Sequence, residues 1–169
     1  MCRTLAPYDR RMAVRNVLQG PGRPLGPMAV RSTLDSHTAA QIRAVLRGLP
    51  TATGYTVNVK ALRYRSRPHL VAFTFWETAE MLIQVPEPFQ PFRELVDLGG
   101  GRYPMVPFRT RRDVIRFLYL HEFCHWWLYL THGWGAAAEI ACDRYAYANY
   151  RRRGLVRPPS MRTPWEKAA

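Results

Sequence analysis

His121-Glu122-Phe123-Cys124-His125 reads H-E-x-x-H in the middle of a long apolar segment, Arg111 to Thr131. Drawn as a helix, that segment puts His121 and His125 at i and i+4, stacked on one face. Two imidazoles so placed can grip one Zn²⁺, and Glu122 beside them can take a proton from a metal-bound water. The bland alternative is a buried helix that happens to carry two histidines. An apolar helix does not normally hold His, Glu and His unpaired in its middle, because burying them without partners is costly. The pattern therefore favours a metal.

A third ligand should follow. Glu139 and Asp143 sit on the next helical stretch, Glu139-Ile140-Ala141-Cys142-Asp143-Arg144-Tyr145-Ala146, again at i and i+4. One carboxylate can bind the metal while the other holds a ligand histidine in the correct tautomer. Two solvated acids on an exposed face are the competing reading, which the apolar and aromatic neighbours disfavour. The metzincin extension fails: it needs Gly and His where the chain has Leu128 and Thr131. His132 is one place out of register and suits a helix end, where a cation favours the dipole.

H-E-x-x-H followed closely by E-x-x-x-D and a small-aromatic run resembles the compact gluzincins, in particular the ImmA/IrrE-like metallopeptidases. Glu139, Asp143, Tyr145 and Ala146 match the second motif of that family, with Cys142 in its small-residue place. The resemblance covers about residues 33 to 153. It implies a minimal zincin fold, Glu139 as third ligand, Asp143 as the carboxylate behind a ligand histidine, and Glu122 as catalytic base. It also implies action on regulatory proteins that bind DNA. The SprT-like zincins share the order of elements, but their usual third ligand is a histidine and none follows His132.

A chain of 169 residues that is 47% apolar supports one domain with a real core. The expected boundaries are a basic Pro/Gly-rich arm over 1–31, a zincin-like metallopeptidase domain over 32–154 and a flexible tail over 155–169. The positive charge behind the net +13 is almost all arginine and favours an acidic partner such as nucleic acid or an anionic surface, with a merely solubilising surface the alternative. Cys2, Cys124 and Cys142 are odd in number and lack disulfide spacing, which fits a reducing compartment. The cysteines at 124 and 142 are read as small buried hydrophobes rather than soft ligands. No apolar signal region is visible, and the run Phe117–Leu130 is too short and too polar at its centre to span a bilayer. The expectation is a cytoplasmic protein with no membrane partner.

In chain order, Tyr8–Gln19 is a candidate basic amphipathic helix, broken by the Gly/Pro run after it. Leu34–Arg47 reads as a helix capped from Ser32, Thr33, Asp35 or Ser36 and stopped at Gly48. Tyr55–Ala61 alternates as a half-buried strand. Leu70–Trp76 is a continuous β-rich run suited to a more central strand. Met81–Val85 is a short third strand, and Pro86 and Pro88 mark it as an edge. The zincin resemblance suggests that edge as the place where substrate backbone binds. Residues 86–109 form a Pro/Gly-rich loop, a lid or a passive crossover, with a short strand in reserve at Tyr103–Val106. Thr110 and Asp113 make a capping box for the metal helix, which Gly133 stops; Trp126 and Trp127 read as core rather than as base-stacking platforms. The last helix is Ala136–Arg153, ending in three arginines that favour the dipole or grip phosphate.

The fold expected is α+β: a helix, a three- to four-stranded sheet, then two metal-binding helices. The function expected is peptide-bond hydrolysis of a protein or peptide substrate. His121, His125 and Glu139 would hold Zn²⁺, with Glu122 catalytic and Asp143 supporting. Tyr145, Tyr147 and Arg144 are open candidates for an oxyanion donor. The alternative from another class is a basic nucleic-acid-associated or phage accessory protein whose zinc is structural or vestigial.

Overall fold

The computed structural model describes residues 27–132 and 138–159. The readings for Cys2, the 8–19 helix, Gly133 and the last ten residues lie outside them. The described part is α+β. Its elements run β1 (Ala29–Ser32), α1 (Ala39–Leu46), β2 (Thr56–Leu62), β3 (Val71–Phe75), β4 (Glu80–Pro86), β5 (Phe92–Leu95), β6 (Met105–Phe108), α2 (Arg111–His132) and α3 (Glu139–Asn149).

The main sheet has the order β1-β2-β4-β3. β1 and β4 are parallel to β2, and β3 is antiparallel to β4. Period-two alternation sends one set of side chains to the core: Val57 and Val59 on β2, Met81, Ile83 and Val85 on β4, all fully buried. They are adjacent in register, Val57 beside Met81 and Val59 beside Ile83. α2 packs over this face and adds Val114, Ile115, Leu118, Tyr119 and Phe123. α1 closes the other end of the same core with Ile42, Val45 and Leu46.

The structure reverses the strand roles read from the sequence. Met81–Val85 lies inside the sheet, paired on both sides, and Leu70–Trp76 supplies the edge strand β3. Pro86 is harmless because it is the last residue of β4, and the next amide, of Glu87, bonds Leu62 O at 3.0 Å. The apolar run of β3 reflects an uncovered outer face: Phe73 and Phe75 are 54% and 43% exposed.

β1 was not expected, and it begins inside the stretch assigned to the arm; Ala29 N donates to Tyr55 O at 3.0 Å. The first helix starts later than read. Thr38 caps it through a reciprocal box with Gln41, while Ser32 Oγ bonds His37 O. The capping box at the start of α2 is present: Asp113 N donates to Thr110 Oγ1 at 3.1 Å, and Asp113 Oδ2 accepts from the Thr110 and Arg109 amides. α3 ends at Asn149, so the three arginines follow it. The start of the tail is packed: Val156 is buried and its amide donates to Gly48 O at 2.8 Å.

Under this junction lies Arg116, only 2% exposed. Its guanidinium donates to Val45 O, Tyr150 O and Arg152 O at 2.9, 2.7 and 2.7 Å. These are the last carbonyls of α1 and those following α3, so one cation satisfies two helix C-termini where the dipoles are negative.

Candidate metal centre

α2 carries the H-E-x-x-H residues at mid-length, and its 3.6-residue repeat aims His121 and His125 the same way, toward the cleft beside β3. α3 brings Glu139 against them in its first turn. His121 Nε2 lies 3.1 Å from His125 Nε2, and the Glu139 carboxylate lies 3.2 Å from each, one oxygen per ring. Four-coordinate zinc with bonds of 2.0–2.1 Å sets neighbouring donor atoms about 3.3 Å apart. The three side chains thus match a metal's donor set in type and in spacing, and the group can hold a metal ion.

The second nitrogen of His121 is fixed. Nδ1 lies 2.9 Å from Asp143 Oδ1, one turn along α3 from Glu139. That bond turns the ring and leaves Nε2 for the metal side. With no metal, burial opposes charge on His121, but the hydrogen bonds to Asp143 and Glu139 and the nearby Glu122 outweigh it, and its pKa is pushed up to about 10. The two histidines hold the Glu139 carboxyl far below the usual carboxylate range, against the effect of burial.

Glu122 is not among the three donors. It is buried, and its Oε2 accepts a 2.6 Å hydrogen bond from Thr74 Oγ1 of β3. Burial pushes its pKa up; the Thr74 bond and the two histidines work the other way. A carboxylate that is a stronger base than usual, held beside two metal-ligand candidates, is suited to accept a proton. The cleft has a volume of about 270 Å³ and is lined by Ala72, Phe73, Thr74 and Trp76 on the sheet side and by His121, Glu122, His125 and Glu139 on the helix side. Trp76 packs on Tyr129 of α2, ring centroids 4.2 Å apart.

The long loop before α2 packs against α3. Residues 86–109 form the β5–β6 hairpin rather than a structureless crossover, and its turn is pinned to α3. Arg144 Nε donates to Leu98 O. Gly99 has φ +68°, its amide donates to Asp97 Oδ1 at 2.7 Å, and a Cβ there would meet Arg144 Nη2 at 2.7 Å and Ile140 Cγ2 at 2.9 Å. α3 has no side-chain N-cap, so this contact helps fix the turn that presents Glu139.

The oxyanion candidates are not brought to the cleft. Arg144 is engaged at the hairpin, Tyr145 donates to Arg157 O at 2.8 Å, and Tyr147 is exposed and does not line it. Thr74 was missed, since nothing local in the sequence marks its partner 48 residues away. Cys124 and Cys142 pack together with Ala138 and Leu128, off the donor group. Burial and the neighbouring Cys124 push the Cys142 thiol up, which suits a buried hydrophobe. Trp126 is core, set edge-on to Tyr55.

Comparison with known proteins leaves the assignment to the site itself: no family model matches the chain, and no curated protein or solved structure matches it significantly. No helix among the described residues is long and apolar enough to cross a membrane.

Proposed function

We propose that the protein is a zinc-dependent metallopeptidase with a minimal zincin fold of the gluzincin type. The observation that carries this reading is the division of labour among four side chains. His121, His125 and Glu139 converge on one another, while Glu122 stands apart on a hydrogen bond to Thr74. A purely structural zinc site is closed by four protein ligands and has no use for a separate buried acid. Nitrogen and carboxylate donors of this kind suit Zn²⁺. The metal, when bound, supplies a Lewis acid that acidifies water and polarises a carbonyl.

The chain's own residues supply the rest. His121, His125 and Glu139 would hold the metal and Asp143 would orient His121. Glu122 would take the proton of the attacking water and pass it to the leaving amine as the C–N bond breaks. β3 is an edge strand, and its free side borders the cleft; a substrate can lie there extended and be held through backbone hydrogen bonds. That role passes from β4 to β3.

The test is Glu122→Gln on zinc-loaded protein against an unstructured protein such as casein. The variant should keep about one zinc per chain and lose activity by two orders of magnitude or more. Equal activity in the two proteins refutes the mechanism. A wild type purified without metal supplementation that carries no metal and takes up none refutes the site.

A further inference from the structure

β3, the strand that lines the proposed peptidase cleft, is preceded by a loop that carries a row of exposed guanidiniums. Arg63, Arg65 and Arg67 occupy alternate positions in the loop between β2 and β3, and all three are exposed. The loop is tied to the turn after β4 by one bond and braced within itself by another. Tyr64 donates its hydroxyl to Pro88 O at 2.7 Å, and the His69 ring lies 3.2 Å from Arg67 O.

The acids nearby leave these charges largely uncompensated. Glu87 is engaged by Arg111 through two bonds of 2.8 and 2.9 Å and by Ser36 at 3.1 Å, so it offers Arg63 only a field. Glu94 lies 3.8 Å from Arg67, whose side chain is still 72% exposed. Exposed arginines usually meet solvent alone. What separates this row is its place: four residues after Arg67 the chain becomes β3, the strand that lines the cleft.

Thr74, level with Glu122, is three residues from the start of β3. At about 3.3 Å per residue an extended peptide crosses that distance in three residues. Its next few residues then leave the strand at the arginine loop. We propose that Arg63, Arg65 and Arg67 form an exosite for an acidic run of the substrate, lying about four to eight residues from the scissile bond. The inference rests on the peptidase reading and names the substrate class it selects: proteins with an acidic segment beside an extended cleavage site. An acidic peptide is preferred to nucleic acid because the row directly precedes β3, the strand that lines the peptide cleft.

The test uses the full zinc-loaded chain carrying Glu122→Gln and two fluorescein-labelled peptides, identical apart from four Glu or four Gln at one end. Three exposed ion pairs at a few tenths of a kcal/mol to one each predict a preference for the Glu peptide of about tenfold at low salt, fading as salt rises. Arg63→Ser/Arg65→Ser/Arg67→Ser should reduce the preference to less than about twofold. Arg43→Ser/Arg47→Ser/Arg153→Ser, with the same loss of charge elsewhere, should leave it. Equal effects of the two triples overturn the exosite, as does no preference in the parent. A labelled single-stranded oligonucleotide that loses affinity on the loop triple while the peptides do not overturns it in favour of nucleic acid. The measurement needs no turnover, so a wild type that cleaves nothing but keeps the loop-dependent preference refutes the peptidase reading and not the exosite.

Discussion

Gly99→Ala tests how the hairpin governs the metal centre, and Gly100→Ala provides its internal control. Both residues lie in the left-handed region, Gly99 at φ +68° and Gly100 at +61°. A left-handed alanine costs about 1–2 kcal/mol. Loss of glycine's freedom in the unfolded chain returns about 0.4–1 kcal/mol. A Cβ on Gly100 meets nothing within 4 Å, so Gly100→Ala should destabilise by only about 1 kcal/mol. A Cβ on Gly99 sits 2.7 Å from Arg144 Nη2 and 2.9 Å from Ile140 Cγ2, so both must move. Both side chains are exposed, so moving them costs about 1 kcal/mol at most, and the Arg144 bond to Leu98 O is worth about 1.5 kcal/mol more. Gly99→Ala should therefore destabilise by roughly 2 to 4 kcal/mol. Ile140 and Arg144 flank Asp143 and follow Glu139 on α3, so zinc affinity should fall as well, by about tenfold. Urea unfolding of the metal-free variants and competition of the zinc-loaded ones with a chromophoric chelator give the two numbers. Equal destabilisation by the two substitutions, or unchanged zinc affinity in a clearly destabilised Gly99→Ala, would show that the hairpin does not position α3.

Three further outcomes are expected. Asp143→Ala should weaken zinc binding by about 10- to 100-fold while leaving the ligands in place, read by the same chelator competition; an unchanged affinity would mean the 2.9 Å bond to His121 does not orient the ring. In the metal-free protein the His121 pKa is raised from 6.5 to about 10, so its contribution to stability is full below 6.5 and is lost as pH rises through about 10. The metal-free Tm should fall across that window, Asp143→Asn should flatten the fall, and zinc, which needs the neutral ring, should bind more tightly as pH rises; a metal-free Tm that is flat in the wild type sinks the argument. Arg116→Met should cost at least about 2 kcal/mol by leaving two buried carbonyls and one partly buried carbonyl without a donor, measured by urea unfolding, whereas a loss under 1 kcal/mol would mean that water replaces the guanidinium.

What could be read in the sequence and what could not divide along one physical line. The helical repeat alone places His121 and His125 on one face and Glu139 and Asp143 on another, and the structure brings the two faces together. The cap of α2 was also legible, because Thr110 and Asp113 are three residues apart. Strand order is a different quantity, fixed by which surfaces remain uncovered. Leu70–Trp76 carries apolar residues on both faces, a pattern shared by a buried central strand and by an edge strand with exposed rings, and only the pairing decides between them. The prolines after Met81–Val85 argued for an edge, yet Pro86 is the last paired residue of an inner strand and Pro88 lies beyond it. Thr74 shows the consequence for chemistry. As part of a central strand it would be one more half-buried β-branched residue. As part of the edge strand its hydroxyl reaches Glu122 across 48 positions of chain, and the same displacement opens the backbone of β3 to the cleft. The local motifs therefore specify the donor atoms, whereas the surface through which they are reached depends on long-range strand pairing.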